Sequence, residues 1–242
     1  MKKIIHKFYI FLVILLFNLT LMFKFQLNIK NTTYSNLIKP VLSEIKKNNV
    51  FDPIIEGKDY FKTNNPIHEC PKIILFFSFN CPYCIKQHNN YLYQAIEQKF
   101  KIKVEKYYVS LVHNDYNITI SKIWNIGKII NQEEKTNDFL FHISQEKINN
   151  IDQIKKLFVH IINLKTENFD KLWNSSILAL AINKENTFFN QSEIYSVPSL
   201  LIYGKYLISS ECVPFIKKQD ALNKYLNIID YLLKKDTSNI VH

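Results

Sequence analysis

Apolar residues run unbroken from Ile73 to Phe77. A run this short reads as a strand covered on both faces. It leads through Ser78-Phe79-Asn80 into Cys81-Pro82-Tyr83-Cys84, after which Ile85, His88, Leu92, Ala95, Ile96 and Phe100 recur at helical spacing. A helix is therefore expected from Pro82 onward, with Asn80 or Cys81 at its N-cap. Lys103 to Val109 alternates enough for a second inner strand, with Lys106 inside it. From about residue 111 to 186 strand signals largely disappear. Ile123, Trp124, Ile126, Gly127 and Ile130 mark one helix; Ile151, Ile154, Leu157, Phe158 and Ile161 mark another. Phe169 to Ala181 marks a long third one, capped by Thr166. The tryptophans are read as core residues. Strand character returns at Ser199 to Tyr203, turns at Gly204-Lys205 and comes back at Tyr206 to Ser209 as a hairpin, introduced by Val197-Pro198. An amphipathic helix through Leu222, Tyr225, Leu226, Ile229 and Leu232 closes the chain, and a turn at Glu56-Gly57-Lys58 with a short edge strand precedes it all.

The order is strand, strand–helix, strand, helical block, hairpin, helix. This predicts an α/β chain with a thioredoxin-type sheet and an inserted all-α domain. The sheet would come from residues 50–110 and 187–235, the helical insertion from 111–186, and 236–242 would be a tail. At the amino end, Lys2, Lys3 and Lys7 precede an apolar run from Phe8 to Phe23 broken only by Asn18 and Thr20. A charged segment before such a run marks export. Residues 1–27 are expected to be a signal peptide or signal-anchor and 28–49 a tether. The rest would lie in the periplasm, soluble after cleavage or held to the inner membrane by residues 8–23.

Composition narrows the function classes. The formal net charge is +10, all of it from lysine, and five lysines fall in the first thirty residues. Without arginine there are no bidentate phosphate or base forks, so the charge is read as a solvated surface and no nucleic-acid partner is expected. A targeting segment also places the cysteines in an oxidising compartment.

Chemistry is carried by Cys81 and Cys84. A helix N-terminus presents unpaired N–H groups and a positive dipole end, which favour a thiolate at Cys81. The thiolate is the species that attacks and leaves in disulfide exchange. Cys-x-x-Cys also opens zinc sites, but a zinc ribbon needs a second close pair, and Cys70 and Cys212 stand singly. No metal is expected.

The chain resembles the DsbA family of periplasmic thiol:disulfide oxidoreductases. The resemblance is carried by Glu56-Gly57-Lys58-Asp59-Tyr60, Phe76-Phe77-Ser78-Phe79, Lys106-Tyr107, Ser121-Lys122-Ile123-Trp124, Phe169 to Ser175 and Val197 to Tyr206. It implies a redox-active Cys81–Cys84 disulfide with no other cofactor. It also implies a cis Val197–Pro198 peptide facing that disulfide and holding substrate beside an apolar groove. Substrates would be unfolded exported polypeptides with free thiols, the reoxidant a DsbB-type membrane partner linked to quinone, and the protein a monomer.

Redox poise is expected to be tuned by Pro82, Tyr83, His88 and Lys106, and departures from the family at Tyr83, Leu75 and His88 bear on it. Tyr83 stands where the family's reference member has histidine, and a phenol supplies no cation, so Cys81 is expected to be less acidic. Leu75 replaces a buried acid while Lys106 keeps its lysine partner, so Lys106 is expected to reach solvent or lose its proton more readily. His88 replaces another acid and is read as a helix-surface histidine, with a pH-dependent charge near Cys84 as the alternative. Cys70 and Cys212 are expected too far apart to bridge. The competing functions are a reductase or isomerase, and a tethered binding module whose Cys81–Cys84 bridge is structural.

Overall fold

The computed structural model describes residues 53–89, 91–110, 112–213 and 218–237. The targeting segment expected at 1–27, the tether at 28–49 and the end of the tail lie outside the described residues. No helix among the described residues is long and apolar enough to cross a membrane.

Five strands make one mixed sheet: β1 (Phe61–Lys62), β2 (Ile73–Phe77), β3 (Val104–Tyr108), β4 (Ser199–Ile202) and β5 (Tyr206–Ser209), in the order β1–β5–β4–β2–β3. β2 is buried at every residue, as its unbroken apolar run requires. It runs parallel to β3, with Leu75 opposite Lys106, and antiparallel to β4, with Leu75 opposite Leu200. β3 was expected inside the sheet and instead forms its end. Helices packed over it supply the cover a neighbouring strand would have given, so Val104, Lys106, Tyr107 and Tyr108 are all buried. The β4–β5 loop is Tyr203-Gly204-Lys205, since Ile202 pairs with Tyr206, and Tyr203 and Gly204 stand at φ 52° and 65°, the left-handed region that glycine adopts without steric cost. A Cβ on Gly204 would lie 2.1 Å from the Ile67 carbonyl oxygen, so only glycine fits.

The helix after β2 is two helices rather than one. α1 (Pro82–Asn89) gives way to α2 (Leu92–Phe100) at Tyr91, whose φ is 55°. The break turns Leu92, Tyr93, Ala95 and Ile96 inward, where all four are buried. The helical block contains α3 (Asp115–Ile129), α4 (Glu133–Gln145), α5 (Ile151–Ile162), α6 (Thr166–Trp173) and α7 (Ser176–Gln191). The long third helix is in fact α6 and α7. Ser175 separates them, its side chain accepting the Leu178 N–H at 3.2 Å as an N-cap. Thr166 opens α6 without capping it; Lys165 holds that place and makes no side-chain cap. α4 was not anticipated, because its buried large apolar residues, Phe139 to Ile143, crowd one end behind a polar start. The last helix, α8 (Lys218–Thr237), follows β5.

Two features dock the block on the sheet. Phe77 at the end of β2 meets Trp124 of α3 edge-on at 5.4 Å, and Phe79 meets Phe141 of α4 at 4.9 Å. Trp124 is fully buried, the core residue the sequence suggested; Trp173 is half-buried, with the Lys122 ammonium 4.6 Å from its ring centre. The second feature is Glu185 of α7, which is buried and accepts from Trp124 Nε1, Asn125 Nδ2, Lys128 Nζ and the Tyr108 N–H at 2.9–3.3 Å.

Candidate functional site

α1 begins at Pro82, so Cys81 is the residue before the first helical turn. Its carbonyl accepts the Ile85 N–H at 3.0 Å and its own N–H donates to the Ser78 carbonyl at 3.2 Å. Cys81 is thus the N-cap. The Asn80 side chain, the other expected cap, turns away instead: it accepts from Ser144 Oγ of α4 at 2.8 Å and donates to Asn117 Oδ1 of α3 at 3.4 Å. These bonds tie the turn before Cys81 to the helical block.

Cys81 is partly exposed and Cys84 is 2% exposed. The Cys84 N–H points at Cys81 Sγ from 3.4 Å. Cys81 is held well below an ordinary thiol, at about 6. The hydrogen bond from the Cys84 thiol lowers it most, burial opposes, and the N–H groups of Cys84 and Tyr83 add to the lowering. Cys84 is pushed the other way by burial, by its bond to Cys81 and by that residue's charge, although its sulfur accepts the Ser78 N–H at 3.4 Å. One sulfur is built to carry charge and the other to stay neutral.

The Val197–Pro198 peptide is cis, and the Val197 carbonyl lies 3.3 Å from Cys81 Sγ, positioned to accept from the thiol. A groove of about 320 Å3 runs beside this loop, lined by Phe61, Lys62, Tyr195, Ser196, Leu207 and Glu211 among others. Tyr195 is 93% exposed at its edge. Pro82 and Tyr83 are also exposed, with the Lys86 ammonium 5.5 Å from the Tyr83 ring centre.

Two of the residues expected to tune the pair are placed differently from expectation. Lys106 is 3% exposed and neither reaches solvent nor loses its proton more readily: its pKa is raised. Burial works against its charge, but Glu134 and Glu133, at the first turn of α4, each come within 2.8 Å of Nζ and outweigh it. The acid missing from position 75 is supplied by another element. His88 is not a surface histidine. Its ring stacks on Phe141 at 4.3 Å, Nδ1 lies 3.1 Å from Asn137 Nδ2, and Nε2 lies 3.4 Å from Asp138 Oδ1. Burial holds it down at about 4, so it is neutral near pH 7.

All four cysteines carry free thiols. Cys70 sits against the Gly204 turn, its Sγ 2.7 Å from where a Cβ on Gly204 would lie. Cys212 lies beyond the other end of β5, its Sγ 3.5 Å from Ser209 Oγ. The length of β5 separates them, beyond disulfide reach. Among the described residues no group of three or more His, Cys, Asp or Glu is placed to hold a metal ion.

Sequence reasoning missed Gln87, Glu133, Glu134, Asn137 and Tyr225. Adjacent acids after Gln132 were a legible helix-start signal; the others carried none, because a polar residue on a buried face looks like one on an exposed face.

The thioredoxin family model matches residues 69–224. The thiol:disulfide interchange protein DsbA of Buchnera aphidicola subsp. Acyrthosiphon pisum is 33% identical over 184 residues, covering 74% of this chain and 87% of that protein. The protein of the same name from Escherichia coli K12 is 24% identical over 186 residues, covering 74% and 88%. A cysteine-to-serine variant of Proteus mirabilis DsbA, solved with a non-covalently bound peptide, superposes with a TM-score of 0.68 at 21% identity, covering 76% of this chain and all of that one. It has the same fold.

Proposed function

Since the chain belongs to the DsbA family and is a protein thiol:disulfide oxidoreductase, we propose that it introduces disulfide bonds into exported polypeptides through Cys81 and Cys84. The observation that carries this reading is the contrast between the two sulfurs. Cys81 is a partly exposed, easily ionised thiol at a helix tip 3.3 Å from the Val197 carbonyl, and Cys84 is buried and hard to ionise.

Oxidised protein would carry a Cys81–Cys84 disulfide. A substrate thiolate attacks Cys81 Sγ, the S–S bond breaks, and Cys84 leaves with the electron pair and takes a proton. A second substrate thiolate then attacks the substrate sulfur of the mixed disulfide. Cys81 leaves as a thiolate, the substrate is oxidised, and the protein is reduced. Cys81 is a good leaving group because its thiolate is stabilised before the bond breaks. Val197 and Pro198 position the incoming chain, and the groove beside them accepts its apolar side chains. Pro82 and Tyr83, next to Cys81, and His88 and Lys106, near Cys84, set the ease of the cycle. A DsbB-type, quinone-linked membrane partner returns the protein to its oxidised form, on the periplasmic side.

Oxidised protein mixed with a reduced, unfolded substrate should restore that substrate's disulfides, and Cys81→Ser should lose this activity. A variant as active as the parent would refute the reading. Equilibration with glutathione separates the roles: a high reduction potential supports the oxidase, a low one a reductase, and a pair that never exchanges leaves a binding module.

A further inference from the structure

A groove of about 550 Å3 opens between the first turns of α3 and the length of α7, apart from the one beside the Val197–Pro198 loop. Its floor is apolar, with Ile118 of α3 and Leu178 and Ile182 of α7. Asn183 and Asn186 of α7, a helical turn apart and exposed, line it as well. An amide side chain offers two donors and an acceptor, the set that pairs with the N–H and C=O groups of an extended chain. No Asp or Glu is among the described residues lining the groove, whereas Lys122 is. Lys122 is half-buried, its Nζ 3.5 Å from the Trp173 carbonyl oxygen and 4.6 Å from that ring's centre, and no ion pair among the described residues engages it. Lys155 of α5 brings a second ammonium to 4.5 Å from the same ring centre. The groove also adjoins the reactive turn. Asn117, which lines it, accepts from Asn80 Nδ2 at 3.4 Å and donates to the Val112 carbonyl at 2.8 Å, and Asn80 precedes Cys81. Val112 and Ile118 there are 59% and 37% exposed.

We propose that this groove is a second subsite for the polypeptide whose thiol reacts at Cys81, and that it selects chains with an acidic residue near that cysteine. The proposal rests on the reading that Cys81 and Cys84 exchange disulfides with polypeptides. The occupant is an extended stretch of that chain, leaving the Cys81 turn past Asn117 and following α3. Asn183 and Asn186 pair with its backbone, the apolar floor takes a side chain, and Lys122 takes a carboxylate. Asn117 and Lys122 are separated by about 7.5 Å along the helix axis, and an extended chain advances about 3.3 Å per residue. Allowing for the step from Cys81 to Asn117, the carboxylate belongs roughly three to five residues from the reacting cysteine. A lysine at the same place would face the Lys122 and Lys155 ammoniums with no lining carboxylate to offset them. Discrimination therefore has an attractive and a repulsive part. The Val197–Pro198 loop also adjoins Cys81, so one chain can engage both places.

Reduced peptides with a single cysteine, and with Glu or Lys at successive positions on either side of it, test this against the oxidised full chain. Each rate is divided by the rate with dithiothreitol, which is too small to span the groove. On one side of the cysteine, Glu three to five residues away should react about fivefold faster than Lys, the upper end of what an exposed ion pair contributes. The gap should narrow at high salt. Lys122→Glu should reverse the order. Equal rates for Glu and Lys at every position overturn the proposal, and so does an unchanged order in folded Lys122→Glu. Binding is also read in the parent without exchange. A peptide with serine in place of cysteine and Glu four residues to either side, at millimolar concentration, should move the side-chain amide NMR signals of Asn183 and Asn186. Unmoved signals overturn the subsite, whether or not the variant folds. A protein whose Cys81–Cys84 disulfide reacts with no thiol, dithiothreitol included, fails the functional reading, and the amide signals then decide the groove by themselves.

Discussion

A thiol that ionises at about 6 rather than 9.0 is a measurable property of one residue. Thiolate absorbance near 240 nm should titrate in reduced protein with a midpoint near that value, and Cys81→Ala should remove the step. The sign of its effect on stability follows. The folded value lies below the unfolded one, so the thiolate stabilises reduced protein fully above about pH 9, and that contribution disappears as pH falls through about 6. The melting temperature of reduced protein should therefore rise relative to oxidised protein across that window, where the disulfide form has no such group. Tyr83→His tests the neighbouring position: an imidazolium beside Cys81 should lower its titration further and raise the reduction potential. An unmoved titration would place the control of Cys81 wholly in Cys84 and the helix tip. At this scale the sequence was most readable where one residue type is required. Proline before β4 and cysteine at the helix start have few other uses, whereas Gln87 and Asn137 belong to types that serve equally well in water.

At the scale of elements, α4 is the part of the site that no apolar periodicity announced. It brings Glu133 and Glu134 to Lys106, Asn137 and Phe141 to His88, and Ser144 to Asn80. Its polar start serves that contact, and for the same reason shows no apolar stripe. Periodicity detects a helix that buries one face along its length, and α4 presents partly exposed carboxylates to Lys106 at one end and buries aromatic rings at the other. The Lys106 cluster predicts an asymmetry. Glu133→Gln with Glu134→Gln leaves a buried ammonium without a counter-charge and should cost about 3 kcal/mol in chemical denaturation. Lys106→Met leaves two carboxylates that reach water and should cost less. Equal losses would mean that Lys106 is solvated by some other route. The His88 contact between α1 and α4 predicts a pH slope. Its folded value of about 4 lies below the ordinary 6.5, so the unfolded chain binds the extra proton between them and stability falls as pH drops through that interval. His88→Gln should flatten this slope in melting experiments between pH 6.5 and 4.

For the molecule as a whole, the question is what holds a helical block on a five-stranded sheet so that Asn80 and Cys81 keep their geometry. The general architecture was legible, because an unbroken strand, a cis-capable Val-Pro before a hairpin and a long strand-free stretch admit few arrangements. The clamp was not, since Glu185 lies among Lys184, Asn186 and Thr187 in a stretch that reads as solvated surface. In the fold it is buried and its two oxygens accept from the backbone of β3 and from three side chains of α3. Burial raises its pKa although Lys128 opposes that shift from 2.9 Å. The pair is therefore poor value as a source of stability and strong as a specifier of register: replacing both partners with apolar residues can be tolerated where removing one is not. Glu185→Ala strands the Lys128 ammonium, the Trp124 and Tyr108 N–H groups and the Asn125 amide together, and should cost about 3–5 kcal/mol in denaturant unfolding. Glu185→Leu combined with Lys128→Met should recover part of that loss. Both should leave the Cys81 titration near 6, because the groups that set it belong to the Cys81–Cys84 turn. A shift of that titration in Glu185→Ala would instead show that the block controls the thiol through Asn80, so that docking and redox poise are one property.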